Sequence, residues 1–375
     1  MMMGYSVTVY KKMGYISYGT EDADKITIKN SLVSIRTNRA RDTQVTEATI
    51  IAEYEKLPLA AFQGGNSGVI DNYAHIEVYF DDVIQFSGVI KKYEYNEENK
   101  TITLSCHDMF YRLLNALDED VDYGSTTAVN VIADLVGRAG LNFYQVGGTN
   151  YNISNLKIKE GTVYGDIIQS FLETMHASIR CNKSGTIILE DQYPSYIESG
   201  GDANYFDWTY KDTTNNSSDT AGRDASLMKN ILKITCDVKV GDKTQIVYDK
   251  FEDSSMTEYL NGEKWYDTLD NPLANTQEKR KAVAGWKYLE YWRKSTPLTI
   301  LPTAGNKNID LGHVVKLLRD NTNPGYYLVV GIDTEVTSDG YTDILQLEGM
   351  RDKTTIYEIP KLIASGVMKE DSSYA

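Results

Sequence analysis

The sequence predicts a β-rich α+β fold: two similar antiparallel β-barrel modules with a small α/β insert domain between them. Three observations carry the prediction. Apolar residues alternate with a period of two near both ends of the chain, they switch to a helical period in the middle, and the two β regions share a pattern of apolar spacings. The composition agrees: of 375 residues 41% are apolar and 24% charged, a globular balance with enough chain for two or three cores. Tyrosine is unusually frequent, 28 against 8 Phe and 4 Trp, and it favours strands and interfaces, where an apolar ring and a wet hydroxyl are both useful.

The first module is expected over residues 1–110. In VTEATIIAEYEK, Ala48, Ile50, Ala52 and Tyr54 alternate with Thr49, Ile51, Glu53 and Glu55. Further on, Ile102, Leu104 and Cys106 share one strand face while Thr103, Ser105 and His107 share the other. Asp81-Asp82 and Asn96 to Lys100 are turn chemistry between such runs, so an antiparallel meander is expected. The insert domain is placed at 111–205. Ala128, Val131, Ile132, Leu135, Val136 and Ala139 repeat as one face of a helix, with Ser125 as its expected N-cap and Gly140 as its stop. Tyr164, Ile167, Ile168, Phe171, Leu172 and Met175 give a second helix, followed by two short strands about a turn at Lys183-Ser184-Gly185.

Residues 206–229, rich in Thr, Asn, Ser and Asp, are expected to be a polar linker. The second module is placed at 230–355, with a helical insertion near 275–294 capped by Asn275 and ended by Pro297. Its last strands are HVVKLLRD, GYYLVVGIDTEV and YTDILQLEGM, the final two joined at Ser338-Asp339-Gly340, a hairpin signal. A polar tail is expected over 356–375. Counted from Gly88 and from Gly331, the two β regions are apolar at the same offsets: Val89 and Ile332, Tyr93 and Val336, Ile102 and Leu345, Leu104 and Leu347. These spacings predict a duplicated module, and single out Gly88, Tyr93, Ile102, Leu104, Gly331, Val336, Leu345 and Leu347 as structural or interface positions.

Charge and motifs exclude most chemistry. The net charge of −15, from 38 Lys plus Arg against 53 Asp plus Glu, disfavours sequence-specific nucleic-acid binding and anionic membranes. The N-terminal MMMGYSVTVYKKMGY lacks the apolar core of a signal peptide, and no run of 18 apolar residues suggests membrane insertion. Cys106, Cys181 and Cys236 are widely spaced and odd in number, which fits assembly in a reducing cytosol better than a disulfide framework or a zinc site. Cys106-His107-Asp108 resembles a nucleophile, base and orienter in a row, but neighbours on a strand point to opposite faces. Asp118, Asp120, Asp122 and Gly124 could hold a hard cation, but the glycine falls one position late for an EF-hand and Val129 stands where its last carboxylate belongs. Gly65 and Ser67 lack the second glycine of a nucleophile elbow. No cofactor, metal or catalytic residue is expected. The aromatic pairs Tyr93/Tyr95, Tyr326/Tyr327 and Trp286/Trp292 read as core or interface before ligand platform.

The stretch DDVIQFSGVIKKYEYNEENKTITLSCHDMFYRLL resembles the first β module of baseplate hub proteins of contractile phage tails and phage-tail-like bacteriocins. There an F-x-G-x-I strand is followed by a hairpin partner, an Asp-containing corner and a helix. VYGDIIQSFLETMHASIRCNKSGTIILED is similar to the family's insert domain, and DLGHVVKLLRDNTNPGYYLVVGIDTEVTSDGYTDILQLEGM to its second, tube-like barrel. The stretch 210–295 matches no part of the family pattern. The resemblance implies a non-enzymatic homotrimer, assembled in the bacterial cytoplasm into the baseplate of a virion or tail-like particle. It would join the six-fold tail tube protein to the three-fold central spike protein, with baseplate wedge proteins and a tape measure protein as further partners. In such a ring Gly88→Val is expected to damage assembly more than folding. A tail-associated peptidoglycan hydrolase and a receptor- or glycan-binding tail protein are the alternatives.

Overall fold

A computed structural model describes residues 4–14, 17–41, 45–58, 61, 68–192, 207–211, 214–240, 243–271, 273–318, 325–349 and 360–368. Gly65 and Ser67, weighed above against a nucleophile elbow, lie outside the described residues.

Seven antiparallel strands build the first lobe: β1 (Tyr5–Tyr10), β2 (Lys25–Ile28), β3 (Leu32–Ala40), β4 (Glu47–Glu53), β5 (His75–Phe80), β6 (Val83–Asn96) and β7 (Thr101–Asp108), in the order β3-β4-β7-β6-β5-β1-β2. The predicted alternation sets the register: Ile50 lies opposite Leu104 and Ala48 opposite Cys106, all buried, while Thr49, Ile51, Thr103 and Ser105 face the other side. Val7, Val9, Ile76, Val78 and Phe80 from the far strands reach the same core, so the sheet curls over its own apolar face. Asp81 and Asp82 both adopt positive φ, which two short polar side chains tolerate and which a tight β5–β6 hairpin requires.

The insert follows as β8 (Val121–Thr127), α1 (Ala128–Arg138), β9 (Phe143–Gln145), β10 (Asn152–Ile158), α2 (Tyr164–Met175), β11 (Ala177–Cys181) and β12 (Ile187–Asp191). Both predicted apolar helix faces close on one core. The α1 cap is Thr127, whose hydroxyl accepts from the Asn130 amide; Ser125 is instead paired with Ser154 inside the β8–β10 ribbon. Gly140 takes positive φ after α1, as expected of its stop.

The remainder is β13 (Trp208–Lys211), β14 (Asn216–Ala221), β15 (Ile231–Val240), β16 (Lys243–Asp253), α3 (Ser254–Tyr259), β17 (Tyr266–Asp270), α4 (Gln277–Lys294), β18 (Pro297–Pro302), β19 (Val314–Leu318), β20 (Gly325–Thr337), β21 (Gly340–Gly349) and β22 (Pro360–Met368). Four expectations change here. First, the two β lobes are not separately closed barrels. The second half of β20 pairs with β3, from Gly331 opposite Ala40 to Val336 opposite Ile35, giving one sheet of 13 strands. Each lobe hides an edge by pairing it with the other. Second, the expected linker carries β13 and β14. Both are peripheral strands, where one unpaired edge tolerates Ser, Thr and Asp. Third, β15, β16, β17 and β22 form a separate four-stranded sheet in the order β17-β15-β16-β22, backed by α4 on a core of Leu232, Ile234, Phe251, Val283, Ala284 and Tyr288. Fourth, the expected tail supplies β22, which pairs with β16. The α4 cap is Thr276, one residue after Asn275, and Asn275 bonds the Lys279 ammonium instead.

The predicted duplication has a counterpart in topology. The first lobe contains β3-β4-β7-β6-β5, and the second contains β14-β18-β21-β20-β19, the same order with every neighbour antiparallel. Gly88 and Gly331 stand on the corresponding strands β6 and β20. Val89, Ile102 and Leu104 are buried, as are Ile332, Val336, Leu345 and Leu347, whereas Tyr93 is half-buried.

A Cβ on Gly88 would be driven into the His107 carbonyl oxygen and would lie 2.8 Å from the Phe86 ring. Against the expectation that Gly88→Val damages assembly more than folding, the clash lies within the β6–β7 strand pair itself, which needs glycine to form. At Gly331 the nearest atoms belong to the flexible Gln346 side chain, at 2.8–3.0 Å. In chemical denaturation Gly88→Val is expected to lose about 3 kcal/mol or to abolish folding, and Gly331→Ala to lose about 1 kcal/mol. Equal losses would refute the difference in crowding.

Candidate functional site: the joint of the two lobes and the insert

The strand TNRARD places Thr37, Arg39 and Arg41 on the inward side that Ile35 also faces. Two arginines on an apolar strand face need buried counter-charges. Arg39 meets Asp310 at 2.5 Å, from the loop before β19, and Arg41 meets Glu190 of β12 at 3.1 Å. Arg41 also donates to the carbonyls of Asp191 and Gln192. Arg180 of β11 closes the chain of charges, reaching Glu190 at 3.1 Å and Asp310 at 3.4 Å. Three arginines and two carboxylates thus join the first lobe, the insert and the second lobe. Burial pushes the Asp310 carboxyl upward, but Arg39, Arg180 and Lys183 outweigh it and hold its pKa below the ordinary carboxylate value.

The predicted Lys183-Ser184-Gly185 turn docks beside this network. Lys183 donates to the Gln85 side chain at 2.7 Å and to the Lys307 carbonyl at 2.8 Å, so one ammonium ties the insert to both lobes. Burial, with Arg39 nearby, lowers its pKa to about 8. Gly185, at positive φ, lies so close to Ser87 that a Cβ would sit 2.9 Å from its hydroxyl. Where β7 ends, buried Asp108 accepts from the Phe110 amide at 3.1 Å, and burial raises its pKa to about 7.

Sequence reasoning missed this joint because its members are far apart in the chain. The available signal was the pair of arginines at inward strand positions. The residues it did single out, Ile102, Leu104, Val336, Leu345 and Leu347, turn into the lobe cores. Cys106 is buried and its thiol is pushed up by burial, while His107 faces outward between Glu47 and Lys91, so the two do not meet. All three cysteines are buried, and none forms a disulfide. In the acidic loop, Asp120 pairs with Lys159 at 2.7 Å and Asp122 with Lys157 at 2.9 Å, so a lysine of β10 and one just beyond its end face these carboxylates. Among the described residues no cluster of His, Cys, Asp and Glu is arranged to hold a metal ion, and no helix is long and apolar enough to cross a membrane.

The outward face of the sheet at the lobe seam is polar. Arg36 of β3 bridges to Glu335 of β20 at 2.5 Å and Asn38 donates to Asp333 at 2.5 Å. Thr49 and Glu47 of β4 and Thr342 and Ile344 of β21 flank them along a shallow groove of about 320 Å³. This face crosses the seam along the β3–β20 pairing.

The profile of the family described as YQBQ-like matches residues 33–348, which takes in this joint, the insert and both lobes. The chain belongs to the YQBQ-like family. No curated protein matches it in sequence. The YQBQ-like chain shares its fold with a tail protein from Neisseria meningitidis MC58 at a TM-score of 0.65 and 12% identity, over 93% of this chain and 97% of that one. It is similar to the prophage tail protein gp18 from Listeria monocytogenes EGD-e at a TM-score of 0.57 and 10% identity, over 95% and 97% of the two chains. The Escherichia coli c3393 protein, a component of the type VI secretion system, matches at a TM-score of 0.52 and 9% identity, over 86% of this chain and 74% of that one.

Two outcomes test the joint of this YQBQ-like protein. Asp310→Asn removes a counter-charge shared by Arg39 and Arg180, and is expected to cost about 3 kcal/mol in denaturation and to speed proteolysis between insert and lobes. An unchanged unfolding midpoint would show that the network holds nothing together. Asp108 binds its proton more tightly folded than unfolded, so its stabilising contribution is complete below about pH 4 and is lost as pH rises through about 7. Asp108→Asn is therefore expected to gain, relative to the unsubstituted protein, about 2–4 kcal/mol between pH 4 and pH 8. Parallel stability curves over that range would refute the assignment.

Proposed function

We propose that the chain is a structural subunit of a contractile tail or tail-like particle, acting as a homotrimeric baseplate hub between the six-fold tail tube and the three-fold spike. The observation that carries this reading is the repeated five-strand order within one continuous sheet. Three copies of a chain with two like-ordered lobes present six similar β units, the number a six-fold tube requires, while the chain itself keeps three-fold symmetry. The fold shared with solved tail proteins supports it. The net charge of −15 suits a passage through which DNA or other anionic cargo must slide without sticking. Tail tube, spike, wedge and tape measure proteins are the partners this role implies.

Light scattering on the purified chain, with the tube protein added in a second arm, tests the proposal. The expected particle has three times the 42.2 kDa chain mass and three-fold symmetry in electron micrographs. A monomer or two-fold dimer that persists on the tube end would refute it.

A further inference from the structure

A cleft of about 250 Å³ opens between α2 and β11 of the insert and α4 of the four-stranded-sheet unit. Its walls include Leu172, Ile179, Leu269 and Val283, which offer an apolar channel for a methylene stem. Trp286 also lines it, with the His176 ring stacked against the indole at 4.9 Å. Three cations and several carboxylates border the space, and most are committed. Arg41 is held by Glu190 and two carbonyls, as described above. Lys287 reaches Glu290 at 2.9 Å and Lys294 reaches the same carboxylate at 3.0 Å.

Glu173 differs. Its carboxylate is half-buried on α2, and no hydrogen bond or salt bridge to it occurs among the described residues. Burial, Glu290 and Asp267 all disfavour its charge, and Lys287 only partly offsets them. A carboxylate held in a walled cleft without a partner is costly, and a planar guanidinium is the group that satisfies both its oxygens at once. A primary ammonium would satisfy one, and Lys287 already stands near without closing on it.

We propose that this cleft receives an arginine side chain from a protein partner, its guanidinium on Glu173 and its stem between Leu172 and Val283 beside Trp286. The inference concerns a surface formed by the insert and α4 and stands independently of the hub assignment. Unlike the sheet face at the lobe seam, this surface selects by a single charge.

Titration of the full chain with N-acetyl-arginine methylamide, followed by calorimetry and tryptophan fluorescence, tests it. Saturable binding in the millimolar range is expected, with the neutral citrulline counterpart at least about tenfold weaker, as for the loss of one charge-assisted hydrogen-bonded pair. Glu173→Gln is expected to abolish the difference between the two probes while keeping the circular dichroism spectrum and without lowering the melting temperature. Equal binding of arginine and citrulline probes, no saturation with the arginine probe, or full arginine selectivity in Glu173→Gln would each overturn the proposal. Tighter binding of spermidine than of the arginine probe would make this a polyamine site and would equally overturn it. If Glu173→Gln fails to fold, Glu173→Asp decides instead: the shortened carboxylate is expected to weaken arginine binding, and undiminished affinity would refute the contact.

Discussion

The buried chain of charges Arg41–Glu190–Arg180–Asp310–Arg39 is the constraint on which the arrangement of the molecule depends. Arg39 and Arg41 belong to the strand that carries the first lobe into the second. Their counter-charges come from β12 and from the loop ahead of β19. Each ion pair alone recovers little more than its desolvation, so the network's value lies in what it forbids. Sliding β3 by one residue would turn both arginines outward and leave Asp310 and Glu190 buried without them. The network therefore fixes the register of β3 against β20 as well as the seat of the insert.

That register matters because the seam is where one sheet replaces two. β3 is the outer strand of the first lobe's five, and in the second lobe the short β19 covers only the start of β20, so β3 pairs with the half of β20 that β19 leaves open. The pairing carries the polar outward face across the boundary, with Arg36–Glu335 and Asn38–Asp333 as its cross-strand links. Inside, Val336 of the second lobe packs into the first lobe's core. The two lobes consequently share backbone, surface and core, and a rigid relation between them follows from the strand pairing itself.

Much of this was legible in the sequence wherever local period decided the structure. Ala48, Ile50 and Ala52, the two insert helices and the Ser338-Asp339-Gly340 hairpin all depend on near neighbours, and they came out as read. The four-stranded sheet was hidden because β16 buries charge. Asp249 is neutralised by Arg280 at 2.6 Å, and Asp253 caps α3 while accepting from the Trp292 indole at 2.8 Å. A strand whose inward positions are aspartates does not display apolar alternation, and its partners lie on a helix beyond the reach of any local pattern. The polar β14 was concealed differently, since an edge strand has only one neighbour to satisfy. The joint was unreadable in position though not in kind: inward arginines announced that counter-charges existed, without saying where.

The insertions have a logic of their own. The longest connection within the first lobe's five strands, residues 54–74, lies between β4 and β5, and its large addition, the insert, follows β7. The second lobe takes its addition between β14 and β18, where residues 222–296 supply β15 to β17, α3 and α4. Both additions leave the five-strand order intact, and they meet each other at the cleft of Glu173 and Trp286. In the proposed ring, like faces would then be needed only along the sheets, where a six-fold partner sits. Away from them the two lobes are free to differ, and the differing additions give each chain a single outer surface in place of two similar ones. Three-fold partners can distinguish such a surface, because nothing on the other lobe imitates it. In the proposed ring, a duplicated sheet with unlike insertions would reconcile two symmetries in one chain: repetition where the partner repeats six times, and distinction where it repeats three.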